Sequence, residues 1–289
     1  MLNLLRVSNR RRVYAGVIGI FVSILGVYVA SYLIIGMHSI GVTIAFAGAL
    51  LVFVIRRWRP DAQLSNIEAM VNLSPLRMGY VLPSSGMALD GASLLSIVSH
   101  IIRSDVHSMV ECGSGVSTIV IGNLFKGRGD GHLFSLEEDE NWFEQMQTFI
   151  AAQGLDDYVT LLYAPITDWA GVGRWYDRSV AQLVLDCFPH IDLLLVDGPQ
   201  RKNKQSRYGA LPYFGPILDA SSLVILHDLD RKAERTVLER WRTEFGAVCE
   251  STSGTENCLG HIRLAQPPPR PDAIGDLSNC ETVDPSAHE

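Results

Sequence analysis

Two long stretches without a single charged side chain open the sequence: Val13 to Ile35 and, after the break Gly36-Met37-His38-Ser39, Ile40 to Ile55. A bilayer core is crossed by about 20 apolar residues in a helix. Each stretch is long enough to span, the second when its start is taken back to Gly36, so the pattern predicts a transmembrane helical hairpin over 13–35 and 36–55. Neither run has the one-sided apolar stripe of a helix in a soluble core. A secretory signal is the competing reading of the first run, but its apolar core is too long and no small-residue cleavage site precedes a polar start. Residues 60–88 read as a linker, with turn signals at Leu73-Ser74-Pro75 and Leu82-Pro83-Ser84-Ser85-Gly86. A helical stripe of Leu94, Leu95, Ile97, Val98, Ile101 and Ile102 follows. Short apolar runs then alternate with helical patterns. Strands are predicted over 107–112, 132–136, 159–163, 191–196 and 222–226, helices over 140–154 and 231–245, and a last strand over 258–264. That alternation predicts an α/β fold with a doubly wound, mostly parallel sheet in one domain over 89–265. The tail 266–289 opens on Pro267-Pro268-Pro269-Arg270-Pro271, carries few large apolar residues and reads as disordered.

Composition sharpens the picture. With 289 residues, 47% of them hydrophobic and 19% charged, the chain can build one sizeable domain plus an appendage. Arg6, Arg10, Arg11 and Arg12 precede the hairpin, and Arg56, Arg57 and Arg59 follow it. Positive charge marks the cytoplasmic side of a span, so residues 1–59 are expected to anchor the chain in the cytoplasmic (inner) membrane, multi-pass, with the domain facing the cytoplasm. The remaining residues hold 17 basic against 31 acidic side chains, a net charge of −14. Such a surface repels phosphate backbones, and no nucleic acid partner is expected. The five cysteines are scattered, without metal spacing or a disulfide framework.

Candidate chemistry starts at Val110-Glu111-Cys112-Gly113-Ser114-Gly115-Val116-Ser117-Thr118. It lies between the 107–112 strand and a helical pattern, so both glycines fall at a strand-to-helix turn. Glycine there allows positive φ and close approach of a ligand, and Ser117 or Thr118 is expected to cap a helix whose first amides favour electron-rich groups. By itself the loop also fits an ordinary tight turn. Further carboxylates stand at strand ends, where open α/β sheets bind ligands: Glu137 and Glu138 after the second strand, Asp197 after the fourth, Asp228 after the fifth. Glu137 directly follows Leu136 and has the placement of an acid that accepts from ribose hydroxyls; the other reading is a solvated acidic helix start. The basic run Arg201, Lys202, Lys204 and Arg207 is expected to recognise an anionic group or to be a solvated loop. Trp169, Trp175 and Tyr176 are expected either to wall an acceptor pocket or to be core.

Glu111-x-Gly113-x-Gly115-x-Ser117-Thr118, Ser135-Leu136-Glu137-x-Asp139, Val196-Asp197-Gly198-Pro199 and Leu226-His227-Asp228 with Arg231 and Glu234 together resemble the class I S-adenosylmethionine-dependent methyltransferases, in the broad methyltransferase-24-like group. The resemblance covers about residues 83–241, with Ser117 where many members have a third glycine. It implies a Rossmann-like seven-stranded sheet and S-adenosylmethionine as cofactor. Glu111 and the loop of Gly113, Ser114, Gly115, Ser117 and Thr118 would hold its methionine portion, and Glu137 its ribose. Asp197 and Asp228 would take the positions of magnesium ligands in metal-dependent O-methyltransferases; Mg²⁺ suits such hard oxygen donors. His227 is a poor Mg²⁺ ligand, and with no lysine in a matching position, Asp197 or His227 is expected to remove the acceptor's proton. The implied reaction is methyl transfer to an oxygen of a small or lipid-linked acceptor at the membrane. A nicotinamide-dependent Rossmann enzyme would need a fuller Gly-x-Gly-x-x-Gly, whereas position 118 is threonine; a membrane scaffold keeping the fold without catalysis is the other alternative.

Overall fold

The computed structural model describes residues 60–77, 89–200, 206–253 and 258–265, with scattered positions between 23 and 50. The chain divides into two compact units, Met1–Asp61 and Ala62–Glu289. In the first, Ser23, Gly26, Val29, Ala30, Tyr32 and residues 47–50 are helical. The expected spans 13–35 and 36–55 otherwise lie outside the described residues. Among the described residues no helix is long and apolar enough to cross a membrane. The expected tail 266–289 also lies outside them.

The segment expected as a linker begins instead with a helix, α1 (Pro60–Asn72), and a 3-10 turn over Ser74–Arg77. Ala69 and Leu73 are buried, and Asn66 Oδ1 accepts from the Ala92 amide at 2.9 Å. Leu64, Ile67 and Val71, one or two turns apart on the same helix, remain exposed. Helix α2 (Gly91–Arg103) starts where the Asp90 side chain caps the Ser93 amide.

Four parallel strands follow that share one line of carboxyl ends: β1 (Ser108–Cys112), β2 (His132–Glu137), β3 (Val159–Tyr163) and, past a small antiparallel hairpin of β4 (Ile166–Trp169) and β5 (Gly173–Tyr176), β6 (Leu193–Val196). Helices α3 (Val116–Arg128), α4 (Glu140–Ala152) and α5 (Arg178–Cys187) intervene. The short α6 (Ala210–Phe214), β7 (Leu223–Leu226), α7 (Lys232–Phe245), β8 (Ala247–Ser253) and β9 (Leu259–Leu264) complete the order. The seven-stranded sheet runs β3-β2-β1-β6-β7-β9-β8; β9 is antiparallel to both β7 and β8, the rest parallel. Both faces are covered. Met109, Leu133, Leu193, Leu195 and Ile225 pack with α2, α3 and α4, while Val110, Leu136, Leu194, Val196 and Leu226 pack with Trp241 and Phe214 on the other side. Strands buried on both faces read as continuous apolar runs, which is why the pattern predicts them within one or two residues. The hairpin of β4 and β5 and the strand β8 go unpredicted, because the first pair is only four residues long on each side and β8 is an edge strand, largely exposed and polar.

Register brings the functional ends level. Cys112 pairs with Leu136 and with Val196, and Val196 with Leu226. The residues that follow, Gly113, Glu137, Asp197 and His227, therefore leave the sheet side by side. Strand order reverses between β1 and β6, opening the crevice in which such sheets bind ligands. There the backbones nearly touch: Gly113 has φ +92°, and a Cβ on it would stand 2.9 Å from the Gly198 amide nitrogen. Gly198 would meet Gly113 Cα at 2.8 Å in turn, and both Asp197 and Gly198 donate to the Cys112 carbonyl.

Gly113→Ala is therefore expected to lower unfolding free energy by about 2–4 kcal/mol in urea titrations, from a strained φ plus overpacking. Gly115 has extended backbone, and a Cβ added to it would meet nothing within 4 Å. It is expected to tolerate alanine with a change below about 1 kcal/mol.

Candidate active site

The glycine loop is held from two sides by carboxylates. Glu111, the fourth residue of β1, is fully buried and lies in register with Ser135 on β2. Its Oε2 accepts from Ser135 Oγ at 2.8 Å and from Thr118 Oγ1 at 2.6 Å, and the Ser117 hydroxyl also bonds to it. Thr118 Oγ1 in turn accepts from the Gly115 amide at 2.8 Å. Here the structure corrects the expected cap: Gly115 occupies the cap position of α3, and Thr118 reaches back to it from inside the first turn. Ser117 and Thr118 thus tie the loop to Glu111. Across the loop, Glu137 Oε2 accepts from the Ser114 amide at 3.1 Å and the Ser114 hydroxyl at 2.6 Å, and its Oε1 from the Asp139 amide at 2.9 Å. Trp142 Nε1 donates to the Ser114 carbonyl at 3.0 Å. All seven residues expected to hold a cofactor are brought to one place, and Glu137 is nearly buried rather than part of a solvated acidic turn.

Burial sets the electrostatics of this half. Desolvation pushes Glu111 up to about 7 against the pull of its three hydroxyl donors. Glu137 is raised by the same cause, opposed by Ser114 and the Asp139 amide. Glu111 Oε1 is buried with no hydrogen-bond partner among the described residues. Beside it, Glu138 accepts from the Gln200 amide at 2.6 Å and from Tyr176 Oη at 3.2 Å, which fixes the 198–200 segment over the crevice. Trp175 and Tyr176 are core residues, so the packing reading holds for them; Trp169 is half-buried against Tyr213.

The second half gathers Asp197, His227 and Asp228 at the ends of β6 and β7. His227 Nδ1 lies 2.5 Å from Asp197 Oδ1 and 3.6 Å from Asp228 Oδ2. Asp228 takes φ 63°, a left-handed conformation that short polar side chains tolerate and that marks functional turns. Arg207 is the unforeseen member. Rather than standing in a basic surface loop it is buried, donating to the His227 carbonyl at 2.7 Å, to the Asp197 carbonyl, and from one Nη2 to both Asp197 Oδ1 and Asp228 Oδ2 at 3.1 Å. Arg201, Lys202 and Lys204 lie outside the described residues. Arg231 Nη1 adds a contact of 2.5 Å to Asp228 Oδ2. Burial alone would raise Asp197, but the His227 hydrogen bond and the charges of His227, Arg207 and Arg231 outweigh it and hold the carboxyl below its usual range. Burial would lower His227, yet Asp197 and Asp228 raise it on balance. The sequence signal for Arg207 was present only as one of four basic residues, since nothing local separates a buried guanidinium from a solvated one.

The expected Mg²⁺ meets an obstacle in this donor set. One ligand atom from each of Asp197, His227 and Asp228 lies within 4.8 Å of the others, a spacing a cation allows. The same two carboxylates, however, are already balanced by two guanidiniums. With two guanidiniums already neutralising the two carboxylates, the attraction and repulsion met by a divalent ion are of about equal size, and little net charge pairing is left to offset the dehydration that Mg²⁺ resists. As arranged, the residues do not fit a divalent cation.

Residues 110–229 match the family model described as a methyltransferase domain. No curated protein matches the chain. Among solved structures, the O-methyltransferase TomG from Streptomyces achromogenes, in complex with SAM, is similar at 16% identity over 72% of this chain and 97% of its own, with a TM-score of 0.48. An SAH-bound methyltransferase from Podospora anserina is similar at 13% identity over 76% and 95%, TM-score 0.46. A methyltransferase from Geobacter sulfurreducens is similar at 14% identity over 74% and 96%, TM-score 0.42.

Because Glu111 has a raised pKa, its neutral form contributes stability that is complete below 4.5 and is lost as pH rises through about 7. Glu111→Gln keeps an acceptor oxygen without titrating. The thermal midpoint of the cofactor-free protein is expected to fall across that pH range, and to fall less in the glutamine variant.

Proposed function

We propose that this chain, a class I S-adenosylmethionine-dependent methyltransferase, moves a methyl group to an oxygen of a small or lipid-linked acceptor at the cytoplasmic face of a membrane. The observation that carries the reading is the glycine loop bonded on one side to Glu111 and on the other to Glu137, at adjacent parallel strand ends. When bound, S-adenosylmethionine supplies a methyl group already activated on a sulfonium, so the protein's work is alignment. The first amides of α3 lack helical partners and favour the carboxylate of the methionine portion. Glu137 takes three protein donors where a carboxylate accepts about four, which leaves acceptor capacity for a ribose hydroxyl. Glu111 acts from beneath, shaping the loop, with its Oε1 turned to no donor among the described residues.

His227 would take the proton of the acceptor hydroxyl as its oxygen receives the methyl group. The imidazole suits that role: Nδ1 is engaged by Asp197, while Nε2 is buried without a hydrogen-bond partner among the described residues. The anchor reading rests on the charge-free runs 13–35 and 36–55 with arginines at both ends. It is supported by Leu64, Ile67 and Val71, which expose apolar side chains soon after the basic flank ending at Arg59.

Calorimetry on the full chain is expected to show S-adenosylmethionine binding, weakened about 10- to 100-fold by Glu137→Ala, the loss of one or two bonds to a charged acceptor. Absence of binding in the wild type sinks the reading. Labelled methyl transfer into membrane extracts is expected to place the label in the organic-soluble fraction. His227→Ala should slow that transfer by about 10²- to 10⁴-fold while cofactor affinity is kept.

A further inference from the structure

Asp197, His227 and Asp228 have the spacing of a cation site, yet one oxygen of each carboxylate faces the same guanidinium nitrogen. We infer that Arg207 is the built-in cation of this site: it holds Asp197 and Asp228 together where a divalent ion would have to sit, and methyl transfer in this chain runs without a metal. The inference takes its consequence from the methyltransferase reading, while its geometry stands independently.

Arg207 is fixed from both neighbouring directions. Its own guanidinium donates to the backbone carbonyls of Asp197 and His227, so it bridges the ends of β6 and β7 as well as their side chains. The turn that carries it, Ser206–Gly209, is clamped. Trp241 Nε1 donates to the Tyr208 carbonyl at 2.8 Å, the Arg240 guanidinium lies 3.4 Å from the centroid of the Tyr208 ring, and Gly209 sits so close to the Trp175 indole that a Cβ would stand 2.5 Å from it. A side chain held in this way does not swing aside for an arriving ion. Arg231 on Asp228 completes the balance of two acids by two guanidiniums.

A guanidinium differs from a metal in what it leaves open. Its donors are directed, and its Nη2 is engaged by both carboxylates, so it offers no vacant coordination position for an acceptor oxygen and no chelation of two neighbouring hydroxyls. The acceptor class that fits is therefore one presenting a single reacting hydroxyl, its proton taken by His227. Arg207 acts through Asp197 and Asp228, as a positioning residue.

Full-length protein stripped with chelator can be titrated with Mn²⁺, free ion being read by electron paramagnetic resonance, in the presence of S-adenosylhomocysteine. Wild type is expected to bind no Mn²⁺, and its thermal midpoint to be the same with chelator as with Mg²⁺. Arg207→Ala, once circular dichroism shows it folded, is expected to gain one Mn²⁺ per chain and to lose it when Asp228→Asn is added. A stoichiometric Mn²⁺ on wild type that disappears in Asp228→Asn overturns the inference, as does a folded Arg207→Ala that binds none. The wild-type titration decides the matter even where Arg207→Ala does not fold. Failure to bind S-adenosylmethionine would overturn the methyltransferase reading and leave the Mn²⁺ result intact, so the two failures are told apart.

Discussion

Two backbones meet at the switch point of the sheet with no room for a side chain between them. Gly113 and Gly198 follow β1 and β6, and their contact, with the Cys112 carbonyl shared by the amides of Asp197 and Gly198, sets how closely the two strand ends emerge. Everything chemical in the molecule is arranged around that junction. On one side the loop after Gly113 turns up into α3; on the other, Asp197 turns toward β7. Larger residues at either position would part the loop from the acidic cluster before any side-chain chemistry was considered.

The two halves of the site manage buried charge differently. At the loop, the donors to Glu111 among the described residues are all hydroxyls, so desolvation prevails and its carboxyl is pushed toward neutrality. In the cluster, Asp197 and Asp228 are matched by Arg207, Arg231 and His227, which keeps Asp197 ionised. A buried ion pair adds little net stability against well-packed apolar residues, but leaving one partner unmatched is costly. Such a cluster specifies geometry more than it stabilises the fold, in keeping with the left-handed backbone of Asp228 within it.

Much of the fold was legible because burial on both faces leaves a strand mostly apolar residues to show, wholly so in Leu193–Val196 and Leu223–Leu226. The loop was legible as well, from glycines at a strand-to-helix turn followed by hydroxyls, and Glu137 from its position directly after Leu136. Where local signals were weak or shared, the reading failed. The strands Ile166–Trp169 and Gly173–Tyr176, four residues each, are too short for their alternation to stand out, and the edge strand Ala247–Ser253 shows mostly polar residues to solvent. The helix Pro60–Asn72 was hidden because its larger apolar residues Leu64, Ile67 and Val71 form an exposed stripe, and its inner face is marked by little more than Ala69 until it meets the domain.

The sequence by itself determined the order of the main strands along the chain, the glycine turn, and the acids at the strand ends, because each is written in the spacing of neighbouring residues. Only the tertiary structure decided what those acids face. Ser135 bonds Glu111 because parallel register sets them side by side. Arg207 fills the space between Asp197 and Asp228 because Trp175 and Trp241, distant in sequence, clamp its turn against two strand ends. The charge of a buried site is fixed by contacts between segments that no local pattern encodes, and it is that charge which distinguishes a metal centre from an arginine clamp.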